Sequence, residues 1–538
     1  MAPGLLYVTM EPGPGLSPDQ FHEWYDNEHG PTRLRLDDIF SNGLRYRATD
    51  GQRPTFLAVY DVADMARLST PAYTSLRENR SPREAATIAQ VDVRRDFLDL
   101  VSAEASPSFR PAEALTDDEA DGLVLVSVEI TLKDPGRADE FSLWFDEEHV
   151  PMLARVPGWR RSRRFTATPA AAGGGPARHV ALHEYARVNG LGGPEHDATL
   201  STPRREAVFR NVAAKARRSY SLFYVFGPAP RALSALARLP ASKSFSDART
   251  SSTAGASAAI VSRVTLADGL EIPYRLEGNT SQGAPTIAFC NSLLTSWHMW
   301  DPLVRILTSR RPEFRILRYD ARGRHAIPSP PVPATLDGLS DDLAGLLDGL
   351  RIPRLHALVG VSMGGATTLC FSLRHPTRLD RFVACDCNVS GSDANTRAWK
   401  ARIATAESVA DDGTPGLAEL ARQTVARWFH PHTLDHKPDA VREMTDMVAA
   451  NDVEGFRYSC QALWAYDMRD ALKACAVPGI LVVGEGDGNG ALVKAMDGFK
   501  GDVGRCGINL RVVPLAGHLP MFESPLAFWE AVEAVLEP

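Results

Sequence analysis

Apolar positions along the chain follow two rhythms. In the first 228 residues, strand-like runs such as Leu5-Leu-Tyr-Val-Thr-Met10 and Leu123-Val-Leu-Val-Ser-Val-Glu-Ile130 are each followed by a stretch with large apolar residues at helical spacing. The second of these stretches repeats the first: Phe21-His-Glu-Trp-Tyr-Asp-Asn-Glu-His-Gly-Pro31 returns as Phe141-Ser-Leu-Trp-Phe-Asp-Glu-Glu-His-Val-Pro151. Downstream, Gly43-Leu-Arg-Tyr46 answers Gly158-Trp-Arg-Arg161, Phe56-Leu-Ala-Val-Tyr60 answers Val180-Ala-Leu-His-Glu-Tyr185, and Arg94-Arg95 answers Arg217-Arg218. This predicts two copies of a β-α-β-β-α-β unit, a ferredoxin-like split βαβ. Each copy is a four-stranded sheet with helices on one face only, so a tandem pair can bury both bare faces as a pseudo-dimeric α+β barrel.

Beyond residue 257 the apolar runs are more continuous. Thr286–Phe289, Phe314–Tyr319, Leu355–Val359, Arg381–Ala384, Gly479–Val483 and Leu510–Pro514 read as strands that alternate with helical patterns. Alternation of this kind predicts a mostly parallel α/β sheet wrapped by helices. Ahead of it, Ala267-Asp-Gly269 marks a hairpin between Arg263-Val-Thr-Leu266 and Ile272-Pro-Tyr-Arg-Leu276. The predicted boundaries are repeat 1 at 1–104, repeat 2 at 119–228, a linker at 229–257 rich in Ala, Ser, Arg, Pro and Thr, and a second domain at 258–538. Within that domain a helical lid is expected at about 390–474.

Composition narrows the functional classes. The chain of 538 residues is long enough for several cores, and its formal net charge of −7 argues against a general nucleic-acid binder. Seven cysteines, an odd number without C-x-x-C spacing, read as reduced thiols. The opening Met1-Ala-Pro-Gly-Leu-Leu has no basic segment ahead of a long apolar core, and no apolar run approaches a bilayer's thickness. A cytoplasmic protein with no membrane partner is the expectation.

Candidate chemistry lies in the back half. Gly360-Val-Ser362-Met-Gly364-Gly365 joins a predicted strand to a predicted helix, the setting in which a sharp turn presents a serine hydroxyl. Asp487 follows the strand Gly479–Val483, and His518 follows Leu510–Pro514. A hydroxyl is a weak nucleophile and needs a base, and an imidazole base needs a carboxylate to hold its tautomer, so Ser362, His518 and Asp487 are assigned as nucleophile, base and orienting acid. Glu485, Asp497 and Asp502 are rival acids, less well placed than Asp487 in the turn Gly484-Glu-Gly-Asp487. An oxyanion hole takes one amide after the nucleophile, Met363, and one from the loop after an early strand, Leu293.

With these residues in place, the back half resembles an α/β-hydrolase of the 3-oxoadipate enol-lactonase type. The resemblance is carried by Asn291-Ser-Leu293, Met299-Trp-Asp-Pro302, Arg318-Tyr-Asp-Ala-Arg-Gly323, Gly360–Gly365, Trp399-Lys-Ala-Arg402-Ile403, Gly517-His518 and Glu523-Ser-Pro525. It implies hydrolysis of a small-molecule ester or enol-lactone through an acyl-serine, with no metal or organic cofactor. It also implies a lid whose Trp399, Arg402 and Trp464, with Trp428 and Tyr466, line the pocket, Arg402 as a carboxylate clamp. After Arg322-Gly323 the chain departs from the family's His-Gly with Arg324-His325, which leaves the substrate open. Carbon–carbon bond hydrolysis on the same triad stays an alternative.

The front repeats resemble EthD-like members of the dimeric α+β barrel superfamily through F-x-x-W-[Y/F]-D-x-E-H-x-P. His29 and His149 either cap a helix end or reach a pocket as acid/base groups. A bifunctional enzyme, whose barrel isomerises, cyclises or decarboxylates the substrate, and a barrel that alone carries activity therefore stay open, as does a homo-oligomer. The cluster Arg160-Arg161-Ser-Arg163-Arg164 reads as a solvated strand edge.

Overall fold

Alternating burial along the front strands closes them into a barrel. In the computed structural model the chain divides into two units, Met1–Gly227 and Pro228–Pro538. Residues 2–34, 36, 38–115, 117–167, 178–226, 230–238, 240–246, 251–281, 283–409, 413 and 415–537 are described. The first unit contains β1 (Gly4–Pro12), β2 (Leu44–Ala48), β3 (Phe56–Val62), β4 (Val91–Ala105), β5 (Val124–Leu132), β6 (Trp159–Ala167), β7 (Arg178–Tyr185) and β8 (Val212–Val225). They close in the order β1-β3-β2-β8-β5-β7-β6-β4, all neighbours antiparallel. Each repeat contributes four adjacent strands, and β2–β8 and β4–β6 are the seams. The inward side chains, among them Leu5, Leu57, Leu125, Leu182 and Leu222, form one buried cluster.

Two front-half expectations are corrected. The helix does not end at Glu-His: Pro18–Trp24 runs through a π-helical turn, Tyr25–His29, into Gly30–Leu34, and Ala138–Trp144 runs through Phe145–His149 into Val150–Leu153. The wider turn, closed by bonds from Gly30 N–H to Tyr25 O and from Val150 N–H to Phe145 O, brings i and i+5 together. Trp24 and His29 therefore meet at 4.7 Å between ring centroids, and Trp144 and His149 at 4.6 Å. The arginine cluster is not a solvated edge either. Arg163 and Arg164 are buried, and Arg164 pairs with Asp146 at 3.1 Å as Arg45 pairs with Asp26 at 2.5 Å. This pairing makes Arg164 the counterpart of Arg45, four positions from where motif matching put it.

The second unit is a ten-stranded sheet in the order β18-β17-β16-β15-β13-β14-β12-β11-β10-β9. Its parallel part comprises β13 (Thr286–Cys290), β14 (Arg315–Tyr319), β15 (Ala357–Val361), β16 (Phe382–Cys385), β17 (Gly479–Gly484) and β18 (Asn509–Val513). β13 to β16 are buried throughout, as strands covered on both faces must be. β11 (Ala259–Thr265) and β12 (Glu271–Gly278) form the expected hairpin, and β12 joins β14 antiparallel. The stretch read as a linker carries helix Pro230–Ala237 and strands β9 (Phe245–Ser246) and β10 (Ser251–Thr253). Pairing of β10 with β11 gives this small-residue segment backbone partners that its composition does not advertise. Residues 229, 239 and 247–250 of that stretch lie outside the described residues. Between β16 and β17 the described residues form six α-helices, from Asp393–Glu407 to Arg469–Leu472. Among the described residues no helix is long and apolar enough to cross a membrane.

Candidate active site

Ser362 follows β15 at the carboxyl edge of the sheet, where parallel α/β sheets present their ligand sites. Its backbone has φ 59° and ψ −118°, a conformation that costs a non-glycine residue roughly 1–3 kcal/mol. The surroundings enforce it: Ser362 N–H donates to Cys385 O at 2.9 Å, and the helix Met363–Arg374 starts at the next residue. The turn is so tight that a Cβ on Gly364 would lie 2.2 Å from Cys290 O.

His518 Nδ1 meets Asp487 Oδ2 at 2.7 Å, which leaves Nε2 as the ring nitrogen open to chemistry. Burial raises the Asp487 carboxyl, but the His518 ring against it holds it below its ordinary value. His518 is fixed from three sides. Its N–H donates to Trp428 O at 2.7 Å, its ring stacks on Trp428 at 5.4 Å, and the loop beneath it is clamped by Glu523. The Glu523 carboxylate is fully buried and accepts from Gly517 N at 2.9 Å, Leu519 N at 3.3 Å and His430 N at 2.7 Å. Gly517 admits this arrangement because a Cβ there would sit 2.0 Å from Trp428 O.

One cavity of about 410 Å³ gathers Ser362, Asp487 and His518 with Leu293, Met363, Trp399 and Arg402. Trp428 and Tyr466 line it too. Trp464 does not: Lys400 Nζ lies 5.6 Å from its ring, and its carbonyl accepts from Thr396. The rival acids also point elsewhere, Glu485 accepting from Leu515 N and Asp497 pairing with Lys500, and Asp502 is not among the lining residues. The Leu293 loop is set by Asn291, whose amide donates to Asp320 at 2.9 Å and accepts from the Trp300 indole at 2.9 Å. His325, in the stretch that departs from the resembled family, meets Asp320 from the other side at 2.7 Å. His29 and His149 lie in the first unit, His29 held by Glu84 at 2.7 Å and His149 on a cavity of its own unit.

Sequence reasoning missed two charged cavity residues. Asp386, directly after β16, is buried, accepts from Gly484 N at 2.9 Å through Oδ1, and has no hydrogen-bond partner for Oδ2 among the described residues. Burial pushes its carboxyl well above the ordinary value, and the Asp487 charge adds to this. A carboxylate at the end of a central strand, in Cys385-Asp-Cys387, was the available signal. Arg427 lines the cavity beside Arg402, and neither has an ion-pair partner among the described residues. Arg427 is exposed along part of its length, and partial desolvation at the cavity wall, with the Arg402 charge, lowers its guanidinium. Asp386, Asp487 and His518 also present ligand atoms within 4.8 Å of one another, the one such metal-sized group among the described residues, although the Asp487–His518 bond already occupies two of them.

Residues 287–531 match the model of the alpha/beta hydrolase family. The 3-oxoadipate enol-lactonase 2 of Acinetobacter baylyi is 30% identical over 253 residues, which cover 47% of this chain and 89% of that protein. The chain belongs to the alpha/beta hydrolase family. A second relative of this hydrolase, 3-oxoadipate enol-lactonase 1 of the same organism, is 31% identical over 39% of the chain and 74% of its own length. The crystal structure of the enol-lactonase from Burkholderia xenovorans LB400 shares 30% identity over 51% of the hydrolase chain and 99% of its own, with a TM-score of 0.44.

Proposed function

We propose that this hydrolase cleaves a carboxylic ester or lactone bearing a second carboxylate, through an acyl-serine at Ser362. The observation that carries the reading is the Asp487–His518 contact on the cavity that also holds the strained Ser362. Ser362 Oγ attacks the acyl carbon as His518 Nε2 takes its proton, and Asp487 stabilises the imidazolium. The amides of Met363 and Leu293 receive the oxyanion. Collapse breaks the acyl C–O bond, the alcohol or enol leaves with the proton from His518, and a water activated by His518 then releases the acid and restores Ser362.

Arg402 and Arg427 supply the selectivity. Two cations in a partly desolvated cavity favour a substrate whose remote carboxylate pairs with them. The relatives named as enol-lactonases make an enol-lactone with a free carboxylate the first compound to try. The first unit is read as two EthD-like repeats, 1–104 and 119–228, supported by the duplicated helix and the closed barrel. Turnover of an ester and lactone panel by wild type and Ser362→Ala tests the central reading. The variant is expected to lose about a thousandfold or more in kcat; wild-type turnover in the variant would overturn the mechanism.

A further inference from the structure

The two repeats of the first unit have diverged at one position that decides what their outer pockets can hold. In repeat 1, Glu84 accepts from the Trp24 indole at 2.7 Å and meets His29 Nδ1 at 2.7 Å. The Tyr25 and Tyr60 hydroxyls bond each other at 2.9 Å. Phe226 packs so closely that a Cβ on Gly30 would lie 2.1 Å from its ring. That pocket is filled and its histidine is satisfied.

Ser81 caps the helix Pro82–Ile88 and bonds Glu28, while Thr202 caps Pro203–Phe209 and bonds Glu148. The third residue after each cap is therefore equivalent: Glu84 in repeat 1, Arg205 in repeat 2. The strand register likewise places His183 where repeat 1 has Tyr60, since Tyr7 faces Val59 and Ser127 faces Leu182. With the carboxylate gone, the Trp144 indole turns to Glu148 at 3.2 Å, and His149 Nδ1 is buried with no hydrogen-bond partner among the described residues. A cavity of about 110 Å³ opens beside the stacked Trp144–His149 pair. Its lining includes Arg205, Lys215 and Arg217 and no Asp or Glu among the described residues. An enclosed apolar cavity of about 150 Å³ takes up benzene; this smaller one seats a ring only in part, and it opens toward the exposed Lys215 and Arg217, where a carboxylate would lie.

We propose that the pocket of repeat 2 binds a small planar organic anion, a single ring carrying a carboxylate, with the ring against Trp144 and Phe145 and the charge toward His149, Arg205 and Lys215. Repeat 1 is the filled counterpart in which Glu84 already occupies the anion's place. A bound carboxylate would otherwise be costly to desolvate, and Arg205, Lys215 and Arg217, with no acidic residue in the lining among the described residues, supply the compensation, while burial keeps the His149 ring neutral as a hydrogen-bonding partner. Partial desolvation at the pocket's mouth and the charges of Arg205 and Arg217 lower the Lys215 ammonium, a crowding of positive charge that an anion relieves.

The test is calorimetric titration of the full chain with benzoate and with its neutral analogue benzyl alcohol. Benzoate is expected to bind at least about tenfold more tightly than benzyl alcohol. Arg205→Glu, which restores the charge of repeat 1, should weaken benzoate at least about tenfold, and Lys215→Met should weaken it severalfold. A paired Arg402→Leu/Arg427→Leu variant should leave this binding unchanged. Equal affinity for the two probes, wild-type benzoate binding in Arg205→Glu and Lys215→Met, or loss of binding in the Arg402/Arg427 variant would each overturn the proposal. If Arg205→Glu fails to give a native circular dichroism spectrum, the exposed Lys215→Met decides alone.

Discussion

Burial and the Asp487 charge push the Asp386 carboxyl well up while His518 holds Asp487 down, so a proton carried by this close pair resides on Asp386. In that state Asp386 is an uncharged neighbour beside which Asp487 stays ionised against His518. Asp386→Asn keeps an acceptor for Gly484 N and a neutral partner for Asp487, so its kcat on an ester should stay within about threefold of wild type, whereas Asp386→Ala should lose about tenfold or more with KM little changed. A kcat for Asp386→Asn as low as that of Asp386→Ala would contradict the neutral assignment. Arg402→Leu and Arg427→Leu should each raise KM for a carboxylate-bearing lactone about tenfold and leave 4-nitrophenyl acetate unaffected, read from Michaelis curves on both substrates. At this scale the gathering of Ser362, Asp487 and His518 on one cavity was legible because each is a scarce side-chain chemistry placed after a strand. Asp386 was not, because its role comes from what burial removes around it, and linear sequence does not display burial; Arg427 was not, because on a lid helix it reads as one more exposed arginine until the fold sets it on the cavity wall.

Elements explain where the reading of the sequence slipped. A regular 3.6-residue helix over Phe21–Pro31 puts Phe21, Trp24, Glu28 and His29 along one stripe, whereas the π turn changes the phase and brings Trp24 onto His29. Nothing in an apolar pattern marks such a turn in advance. Motif matching also misaligned β2 with β6, because Gly43 and Gly158 look alike while the ion pairs Arg45–Asp26 and Arg164–Asp146 define the true register. Trp464 shows the same limit in the lid: an aromatic in a helical region is a fair pocket candidate until packing turns it away. The loop that carries His518 depends on Glu523, so Glu523→Ala leaves three amides without their acceptor. Denaturant unfolding of the second unit should show a loss of about 3 kcal/mol or more, and kcat should fall with it. Unchanged stability would mean that the loop holds itself.

The fold class was legible at the scale of the molecule, since the duplicated motif demands a paired sheet and continuous apolar strands demand a covered one. The strand content of residues 229–257 was not, because Ser, Thr and Ala join a sheet edge through backbone bonds alone. Burial also sets the acid response of the first unit. It lowers His22 to about 2, His29 to about 4 and His183 to about 3, against about 6.5 in an unfolded chain. The unfolded chain therefore takes up protons first as pH falls below about 6.5, and stability is lost from there downward, by about 2 kcal/mol per histidine at pH 5. Burial raises Asp26 to about 6, which works in the opposite sense and recovers about 1 kcal/mol over the same window. Hydrogen exchange of β1 and β5 peptides, corrected for intrinsic rates, should thus accelerate between pH 7 and pH 5, and constant protection would contradict this. The nucleophile is tested most directly by intact-mass and peptide mapping after treatment with a fluorophosphonate. One adduct is expected, on Ser362, absent from Ser362→Ala and strongly slowed in His518→Ala; an unlabelled Ser362, or an adduct elsewhere, would rule out the acyl-serine mechanism.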